Sequence, residues 1–287
     1  MKCLILAAGY ATRLYPLTEN FPKPLLEVGG KPILDWLIED LEKSALIDEY
    51  MVVSNHKFAH IFQEWVSSHP STLNSKLSVL DDGTSSNETR LGAVRDIQLA
   101  IDEGSQRVNG ESVNGESVNG KSVNSESVNG KSVNGKSVNG KSVNGKFHDD
   151  LLVMAGDNLL SFSLCDFLAY ARQKGTSCIM RYYEPDGQRL HKSGVAEVDD
   201  NDRILSMEEK PAEPKSHWCC PPFYYIVKTD VPKVAEAIDS GCGVDAPGSF
   251  IAWLCQQTAV HAWEMPGPRY DIGNLESYEA VKKIFNR

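Results

Sequence analysis

Short apolar runs alternate with amphipathic segments along most of this 287-residue sequence, and this alternation constrains the fold more than any other feature. Several runs are almost continuously apolar, which is typical of strands covered on both faces. Repeated strand–helix units predict an α/β fold, namely a doubly wound, mainly parallel, Rossmann-like sheet with helices on both faces. The predicted strands are Cys3–Ala7, Tyr50–Ser54, Leu77–Leu80, Leu151–Ala155 and Thr176–Arg181. The predicted helices are Ile33–Ser44, Phe58–Ser67, Leu91–Ile101, Ser163–Lys174 and Val231–Ser240.

A five-residue repeat interrupts this pattern between residues 107 and 146, with units such as SVNGE and SVNGK. Its period is far shorter than that of a solenoid repeat. Valine is the only apolar residue in each unit and Asn-Gly favours turns, so the tract cannot bury enough surface to offset the entropy of ordering it. The composition predicts a disordered surface insertion in a single domain that spans residues 1–287. Such an insertion destabilises a fold little when its two ends lie close together.

The chain is acidic, with a formal net charge of -10 and a pI near 5.2. This balance argues against broad electrostatic binding to nucleic acid or to an anionic membrane. No apolar run reaches the ~20 residues of a membrane-spanning helix, and the N-terminal apolar run is too short for a signal peptide. The seven cysteines show no C-x-x-C pair and no regular spacing, which favours reduced thiols in a cytoplasmic protein over disulfides or a zinc site.

The stretch LILAAGYATRLYPLTENFPKPLL, residues 4–26, joins a strand end to a glycine turn and two cations. Gly9 follows the predicted first strand, and its small neighbours leave backbone N–H groups uncrowded and able to face a phosphate. Arg13 offers a planar fork for phosphate oxygens and Lys23 a compact second charge. Three prolines limit the movement of both cations. A turn with two solvated surface cations is the alternative, but the combination favours a phosphate site.

This stretch resembles the signature of the nucleotide-sugar pyrophosphorylases, a family of sugar-phosphate nucleotidyltransferases that includes glucose-1-phosphate thymidylyltransferases and uridylyltransferases. The family pattern L-A-x-G-x-G-T-R-L-x-P-L-T, followed by P-K-P-L, stands here as residues 6–18 and 22–25, with Ala11 where glycine is usual. The resemblance implies catalytic roles for Arg13 and Lys23. The residues that it implies for nucleotide binding in this loop are Leu6, Ala7, Ala8, Gly9 and Thr12.

Two aspartates at predicted strand ends match the family's Mg²⁺ ligands. Asp157 ends the apolar run LLVMAGDN, residues 151–158, where a buried carboxylate is costly unless a cation, a metal or a helix N-terminus neutralises it. The residues alone leave a turn or helix-capping role equally open. The family's second aspartate lies in a W-x-D-I/T-G-x-x-E-S/D pattern, which stands here as RYDIGNLES, residues 269–277. The resemblance therefore implies that Asp157 and Asp271 hold Mg²⁺ together with phosphate oxygens and waters.

The segment SMEEKP, residues 206–211, indicates by itself only a lysine in a surface salt bridge. In the family, E-E-K-P supplies an acceptor for a sugar hydroxyl, here Glu209, and a cation for the sugar phosphate, here Lys210. The upstream segment KSGVAEVD resembles the family's Y/K-G-V-V-E, so Gly194 is expected to lie against the sugar. The match ends at the run CCPP, residues 219–222, which stands where S-T/N-x-G is common.

The polar stretch DDGTSSNETRLGAV, residues 81–94, occupies the position at which these enzymes contact the nucleobase. Gly92 is expected to let the backbone approach the base or the ribose. Arg90, with Asn87 and Glu88, is expected to face the edge of the base. A polar loop that only caps the following helix is an equally good alternative, so the base stays open among dTTP, UTP, CTP and GTP.

The resemblance implies transfer of a nucleoside monophosphate from an NTP to a sugar 1-phosphate, with release of pyrophosphate. Such a reaction needs charge neutralisation and positioning more than acid–base help. One alternative is a cytidylyltransferase for a small phosphorylated amine, such as phosphocholine or aminoethylphosphonate, although those relatives generally lack E-E-K-P and the D-I-G ending. A non-catalytic regulator that binds nucleotide sugars is the other. The expected partners are an NTP and a sugar 1-phosphate, and a homo-oligomer is left open.

Overall fold

The computed structural model describes residues 1–69, 75–108 and 147–285. The repeat tract beyond residue 108 lies outside these ranges, so the predicted insertion and the single-domain organisation stay predictions. Numbered in chain order, the strands described are β1 (Lys2–Leu6), β2 (Glu27–Val28), β3 (Lys31–Pro32), β4 (Glu49–Ser54), β5 (Lys76–Asp81), β6 (Leu151–Ala155), β7 (Asn158–Leu160), β8 (Ser177–Tyr183), β9 (Gly194–Val198), β10 (Ile204–Glu209), β11 (Trp218–Cys219), β12 (Phe223–Ile226), β13 (Val260–Glu264) and β14 (Arg269–Asp271). The helices are α1 (Ile33–Glu42), α2 (His56–Ser68), α3 (Ala93–Val108), α4 (Leu164–Lys174), α5 (Gly187–Leu190), α6 (Lys233–Asp239), α7 (Gly248–Gln257) and α8 (Leu275–Phe285).

Each strand and helix predicted from the sequence is present, with some ends shifted. The largest shift is in α3, which continues past the predicted end at Ile101 to Val108. Phe147 packs against the extended part of the helix at Gly104. A Cβ built on Gly104 would lie only 2.9 Å from the Phe147 ring. The residues on the two sides of the undescribed tract are therefore in contact. In this arrangement a long insertion adds little to the entropy cost of folding. Within the described ranges, no helix has both the length and the apolar content needed to cross a bilayer.

The ten-stranded central sheet confirms the doubly wound α/β prediction. Its strand order is β10-β9-β11-β8-β12-β6-β1-β4-β5, with β13 also paired to β8. The half formed by β6, β1, β4 and β5 is parallel throughout, as repeated β–α units require. Beyond β6 the sheet becomes mixed, since β12 is antiparallel to both β6 and β8 while β13 is parallel to β8.

Two apolar cores lie on opposite faces of the sheet, because successive residues of a strand point to opposite sides. Leu4 of β1 belongs to the core that includes residues of α3, α6 and α7, whereas Cys3 and Ile5 belong to the core that includes residues of α1, α2 and α4. All three side chains are fully buried. Burial on both faces explains why the strands read as continuous apolar runs rather than alternating ones.

A third apolar cluster joins the two ends of the described chain. Leu14 and Leu26, from the loops after β1, pack in the same cluster as Ile272 and Tyr278, which follow β14. The Tyr278 hydroxyl also donates a hydrogen bond to the Glu27 carbonyl at 2.8 Å. The C-terminal segment is therefore packed against the N-terminal loops and holds β14 near the sheet.

Candidate active site

Neighbouring side chains hold the loop after β1 in a defined shape. Asn55 donates to the Ala8 carbonyl at 3.0 Å, and the Thr18 hydroxyl, 1% exposed, donates to the Ala11 carbonyl at 2.8 Å. In the described part of the chain, no atom lies within 4 Å of the position that a Cβ would take on Gly9. The backbone at Gly9 is thus fixed in place but open to a ligand.

Ala11, the one departure from the glycine pattern of this loop, adopts a left-handed conformation with φ 48° and ψ 40°. This conformation costs a non-glycine residue about 1–2 kcal/mol, whereas the greater freedom of glycine in the unfolded chain costs roughly 0.5–1 kcal/mol. We therefore expect Ala11→Gly to raise the free energy of unfolding by up to about 1 kcal/mol, measured by urea denaturation. Ala45 (φ 52°) is left-handed too, so Ala45→Gly is the matched control and should act in the same direction; a loss of stability in both would contradict the explanation.

Lys23 lies between the two aspartates that the sequence pairs as metal ligands. Its side chain is 9% exposed, and its Nζ lies 2.7 Å from Asp157 Oδ2 and 3.8 Å from Asp271 Oδ1. The antiparallel pairing of β14 with β7 places Asp271 opposite Asn158, the residue that follows Asp157. This pairing brings together two carboxylates that are far apart in the sequence, with one buried ammonium group between them.

Asn158, 2% exposed, connects this acidic pair to a further cation. Its Nδ2 donates to Asp157 Oδ1 at 2.8 Å, and its Oδ1 accepts a hydrogen bond from Arg269 Nη1. The Arg269 guanidinium lies 5.6 Å from the centre of the Tyr182 ring. Arg269 stands where the family pattern has tryptophan, so this chain places a cation at that position.

Two clefts open at the carboxyl edge of the parallel strands, with volumes of about 280 and 290 Å³. The first cleft is lined by the loop after β1 and by residues that follow β5, and the second by residues around β7, β9 and β14. Arg13, Lys23 and Asp157 line both. Asp271 lines the second cleft together with Arg13, and a Cβ built on Gly273 would be 4.0 Å from Arg13 Nη1 and 3.9 Å from Asp271 Oδ2. The two clefts therefore meet at a group of two cations and two carboxylates.

The first cleft contains most of the residues that the sequence predicts for nucleotide binding. In it, Arg90 is salt-bridged to Asp245, with 2.6 Å between Nη2 and Oδ1. Gly92 has φ 92°, and a Cβ there would lie 2.5 Å from the Val244 carbonyl oxygen. Glycine is therefore required at position 92, because the Val244 backbone lies too close for a side chain. Gly92 also lines the first cleft. The other predicted residues that line this cleft are Leu6, Ala7, Ala8 and Gly9.

Two acidic residues that the sequence patterns do not single out also line the first cleft. Asp82 follows β5, and Asp96 lies in the first turn of α3 and is 5% exposed. Burial, together with the smaller effect of the charge of Asp82, raises the pKa of Asp96 to about 7. Burial likewise raises the pKa of Asp82, although hydrogen bonds from Thr84 oppose the rise. The signals for these residues were weak: a polar residue at a strand end, and an acid beside the apolar stripe of a helix.

Glu209, at the end of β10, has its carboxylate in a space that only glycines leave open. A Cβ on Gly194 would lie 3.0 Å from Glu209 Oε2, and a Cβ on Gly248 would overlap that oxygen. Burial raises the pKa of the Glu209 carboxyl, while the charge of Lys210 opposes the rise. Gly194, Glu209 and Gly248 all line the second cleft, so a partly buried acceptor faces its interior.

Lys210, the predicted phosphate-binding cation, is exposed and does not line the second cleft in the described chain. Its backbone is left-handed (φ 51°), and its N–H donates to the Ser193 carbonyl at 3.0 Å, so the chain turns at the end of β10. Lys192 and Arg269 line the cleft instead. Both lie in the quoted family segments, but neither position carries a cation role there, so the patterns could not identify them.

The structure thus brings nearly all the predicted site residues to one edge of the sheet. Thr12, which is exposed, is the other predicted residue that lines neither cleft among the described residues. Thr12 begins the short 3₁₀ turn whose next residue is Arg13. Its position is therefore that of a neighbour to the site, and the nucleotide contact predicted for it stays a prediction.

Comparisons with known proteins identify the family of this chain. The profile of the Nucleotidyl transferase family matches residues 2–109 and 126–286. The chain is 28% identical over 293 residues to the UTP–glucose-1-phosphate uridylyltransferase of Synechocystis sp., covering 100% of this chain and 64% of that protein. It is 27% identical over 288 residues to the bifunctional protein GlmU of Methanocaldococcus jannaschii, covering 100% of this chain and 55% of that protein.

The fold is also that of known structures. A solved structure of apo UDP-glucose pyrophosphorylase superposes with a TM-score of 0.72 at 15% identity, covering 99% of this chain and 97% of that one. At this identity the likeness concerns the fold alone. The family profile spans most of the chain, including the loop after β1 and both aspartates of the acidic pair. The chain therefore belongs to the Nucleotidyl transferase family.

Proposed function

We propose that this protein transfers a nucleoside monophosphate from an NTP to a sugar 1-phosphate and releases pyrophosphate. The observation that carries the proposal is that two clefts meet at Arg13, Lys23 and Asp157. A reaction between two phosphorylated substrates needs such a junction, because the attacking phosphate oxygen must reach the α-phosphorus of the nucleotide. The name of the Synechocystis relative, a UTP–glucose-1-phosphate uridylyltransferase, supports nucleotidyl transfer, and the chain spans 64% of that protein and 55% of the Methanocaldococcus relative.

The acidic pair fits a magnesium ion. Asp157 and Asp271 approach the same Lys23 nitrogen, and their side chains are 34% and 51% exposed, so both carboxylates reach the clefts. Oxygen donors are the ligands that Mg²⁺ prefers, and it usually keeps substrate phosphates and waters as its other ligands. Among the described residues no cluster of three or more metal-binding side chains occurs, so these two carboxylates would need phosphate oxygens and waters as further ligands. When bound, Mg²⁺ would neutralise phosphate charge.

In the proposed reaction, residues of this chain position the two substrates and stabilise the negative charge on their phosphates. In the proposal, backbone N–H groups near Gly9 bind the triphosphate, and Arg13 and Lys23 stabilise the charge on the phosphates as a sugar phosphate oxygen attacks in line and pyrophosphate leaves. Glu209 accepts a hydrogen bond from a sugar hydroxyl. Lys192 and Arg269, rather than Lys210, supply positive charge around the acceptor phosphate.

Asp271→Asn is expected to raise the Mg²⁺ concentration needed for half-maximal pyrophosphate release by at least about tenfold, because a neutral amide is a weaker ligand than a carboxylate. The measurement is a magnesium titration of pyrophosphate release. Glu279→Gln, which alters a 58% exposed carboxylate on α8, is the matched control and should titrate like the wild type. Identical titrations for Asp271→Asn and the wild type would rule out Asp271 as a ligand.

The proposed reaction is tested by incubating the full chain and Mg²⁺ with each of the NTPs and a panel of sugar 1-phosphates, and identifying products by mass spectrometry. Phosphocholine and aminoethylphosphonate belong in the same panel, because a cytidylyltransferase for small phosphorylated amines is the competing enzyme. An NDP-sugar together with pyrophosphate supports the proposal. A CDP-amine product would replace it, and nucleotide binding without pyrophosphate release under any condition would favour a non-catalytic regulator.

A further inference from the structure

Two other aspartates at the end of the first cleft, Asp82 and Asp96, each have a carboxylate oxygen that accepts no hydrogen bond in the described chain. Asp96 is 5% exposed, and within the described chain its Oδ1 has no hydrogen-bond partner. Asp82 Oδ2 is also buried without a partner there. A buried acceptor that loses water and gains no donor destabilises the fold by about 1–3 kcal/mol, and more if it is charged. Both residues line the cleft, so a ligand there could supply donors once rotation of these carboxyl groups turns the oxygens toward it.

Local structure explains only part of this arrangement. Asp82 Oδ1 accepts hydrogen bonds from the Thr84 N–H and hydroxyl, each at 2.7 Å, so a turn accounts for one of its two oxygens. Asp96 has no such role. Its neighbours Val94 and Ile97 are fully buried, and an apolar side chain at Asp96 would continue the buried stripe of α3 without an unsatisfied oxygen.

The strand order shows which end of a nucleotide would reach these acids. Along the edge the order is β6-β1-β4-β5; Asp157 follows β6, the Gly9 loop follows β1, and Asp82 follows β5. Strands are about 4.8 Å apart, so Asp82 lies roughly 10 Å from the Gly9 loop, on the side away from Asp157. The phosphates belong at the Arg13 and Lys23 end, because the two acids would repel them. The nucleobase therefore lies toward Asp82 and Asp96.

The chemistry of the free bases decides which of them fits two buried acceptors. Guanine, cytosine and adenine each carry an exocyclic amino group, which donates hydrogen bonds. Uracil and thymine instead carry carbonyl oxygens on both sides of the ring N–H, and these would face the aspartate oxygens and repel them. A site with buried polar groups discriminates strongly against a ligand that leaves those groups unpaired.

We propose that Asp96, assisted by Asp82, accepts hydrogen bonds from the exocyclic amino group of the nucleobase, so that this enzyme uses an amino-bearing NTP in preference to UTP or dTTP. The inference rests on the proposed function and names the class of its nucleotide substrate. Asp96 is then a residue that determines base specificity. Burial raises the pKa of Asp96 in the free protein, and a donor from the base would lower it by stabilising the carboxylate.

The test compares kcat/KM for GTP, CTP, ATP, UTP and dTTP in the wild type and in Asp96→Asn, with glucose 1-phosphate and N-acetylglucosamine 1-phosphate as acceptors. At least one amino-bearing NTP should exceed both UTP and dTTP by about tenfold or more in the wild type. Asp96→Asn keeps the shape but supplies an N–H donor, so the ratio should fall by about tenfold, mainly through KM. Asp102→Asn, an exposed change on the same helix, is the control and should leave the ratio unchanged.

Calorimetric binding of the α,β-methylene analogues of the five NTPs separates this inference from the proposed function. Tighter binding of an amino-bearing analogue that Asp96→Asn abolishes would support the base site even if no acceptor were used. A wild-type preference for UTP or dTTP, or ratios that Asp96→Asn leaves unchanged, would overturn it. Thermal unfolding of each variant identifies loss of folding, which Asp96→Asn should not cause because asparagine has the same shape and carries no charge to desolvate.

Discussion

Arg13→Ala is expected to lower the turnover number for nucleotidyl transfer by about 10²-fold or more, the effect of removing one preorganised electrostatic stabiliser. The guanidinium lines both clefts, the second of them together with Asp271, so in the proposed reaction it would lie where charge develops as pyrophosphate leaves. Arg13 is exposed at the edge of the sheet. Its removal should therefore reduce kcat without a comparable loss of folding stability.

The measurement for Arg13 is steady-state pyrophosphate release with the NTP and sugar phosphate that the product screen identifies. Arg189→Ala removes a 71% exposed arginine that lines neither cleft, and it should leave kcat within about twofold of the wild type. Retention of kcat within a few-fold in Arg13→Ala would show that this guanidinium does not act on the transition state.

Lys23→Met is expected to cause the second large loss, about 10²-fold or more in kcat/KM. The Lys23 ammonium is the group that both Asp157 and Asp271 approach, at 2.7 and 3.8 Å. Without it, the negative charge of the two carboxylates would repel an incoming triphosphate and would be less well balanced when Mg²⁺ is bound. Methionine keeps the length and the apolar stem of lysine, so the change removes mainly the charge.

The control for Lys23 is Lys43→Met, which alters a 70% exposed lysine in a surface salt bridge. Surface pairs of this kind contribute about 0–1 kcal/mol, so stability and activity should both be near wild type. Thermal unfolding of Lys23→Met tells loss of chemistry from loss of folding. A folded Lys23→Met with normal kcat/KM would remove Lys23 from the mechanism.

The sequence correctly predicted strands whose ends line the two clefts, because the signals for those strands are local. A strand that ends in Gly9 and another that ends near Asp157 are visible as apolar runs, and parallel strands bring their carboxyl ends to one edge. The strand patterns placed Asp271 at the end of a late strand, but only the family resemblance paired it with Asp157. In the structure its position depends on β14 forming an antiparallel pair with β7.

The remaining differences come from side-chain direction, which a pattern does not specify. Lys210 matches the family motif, but the left-handed backbone at the end of β10 leaves it outside the second cleft. Lys192 and Arg269 line that cleft, although the family segments that contain them indicate no phosphate-binding cation at either position. Asp96 in a helical first turn is typical of an acid that interacts with the helix dipole, and its role in the cleft wall follows only from the packing of α3 beneath the sheet.

The apolar cluster that joins Leu14 and Leu26 to Ile272 and Tyr278 has a consequence for synthesis of the protein on the ribosome. The cations of the N-terminal loops emerge early, but their acidic partner Asp271 and the helix that supports it are translated more than 240 residues later than Lys23. A nascent chain that stalls before β14 cannot assemble the junction of the two clefts. If the proposed function is right, activity can arise only after β14 and α8 have been translated, and products truncated before them should be inert.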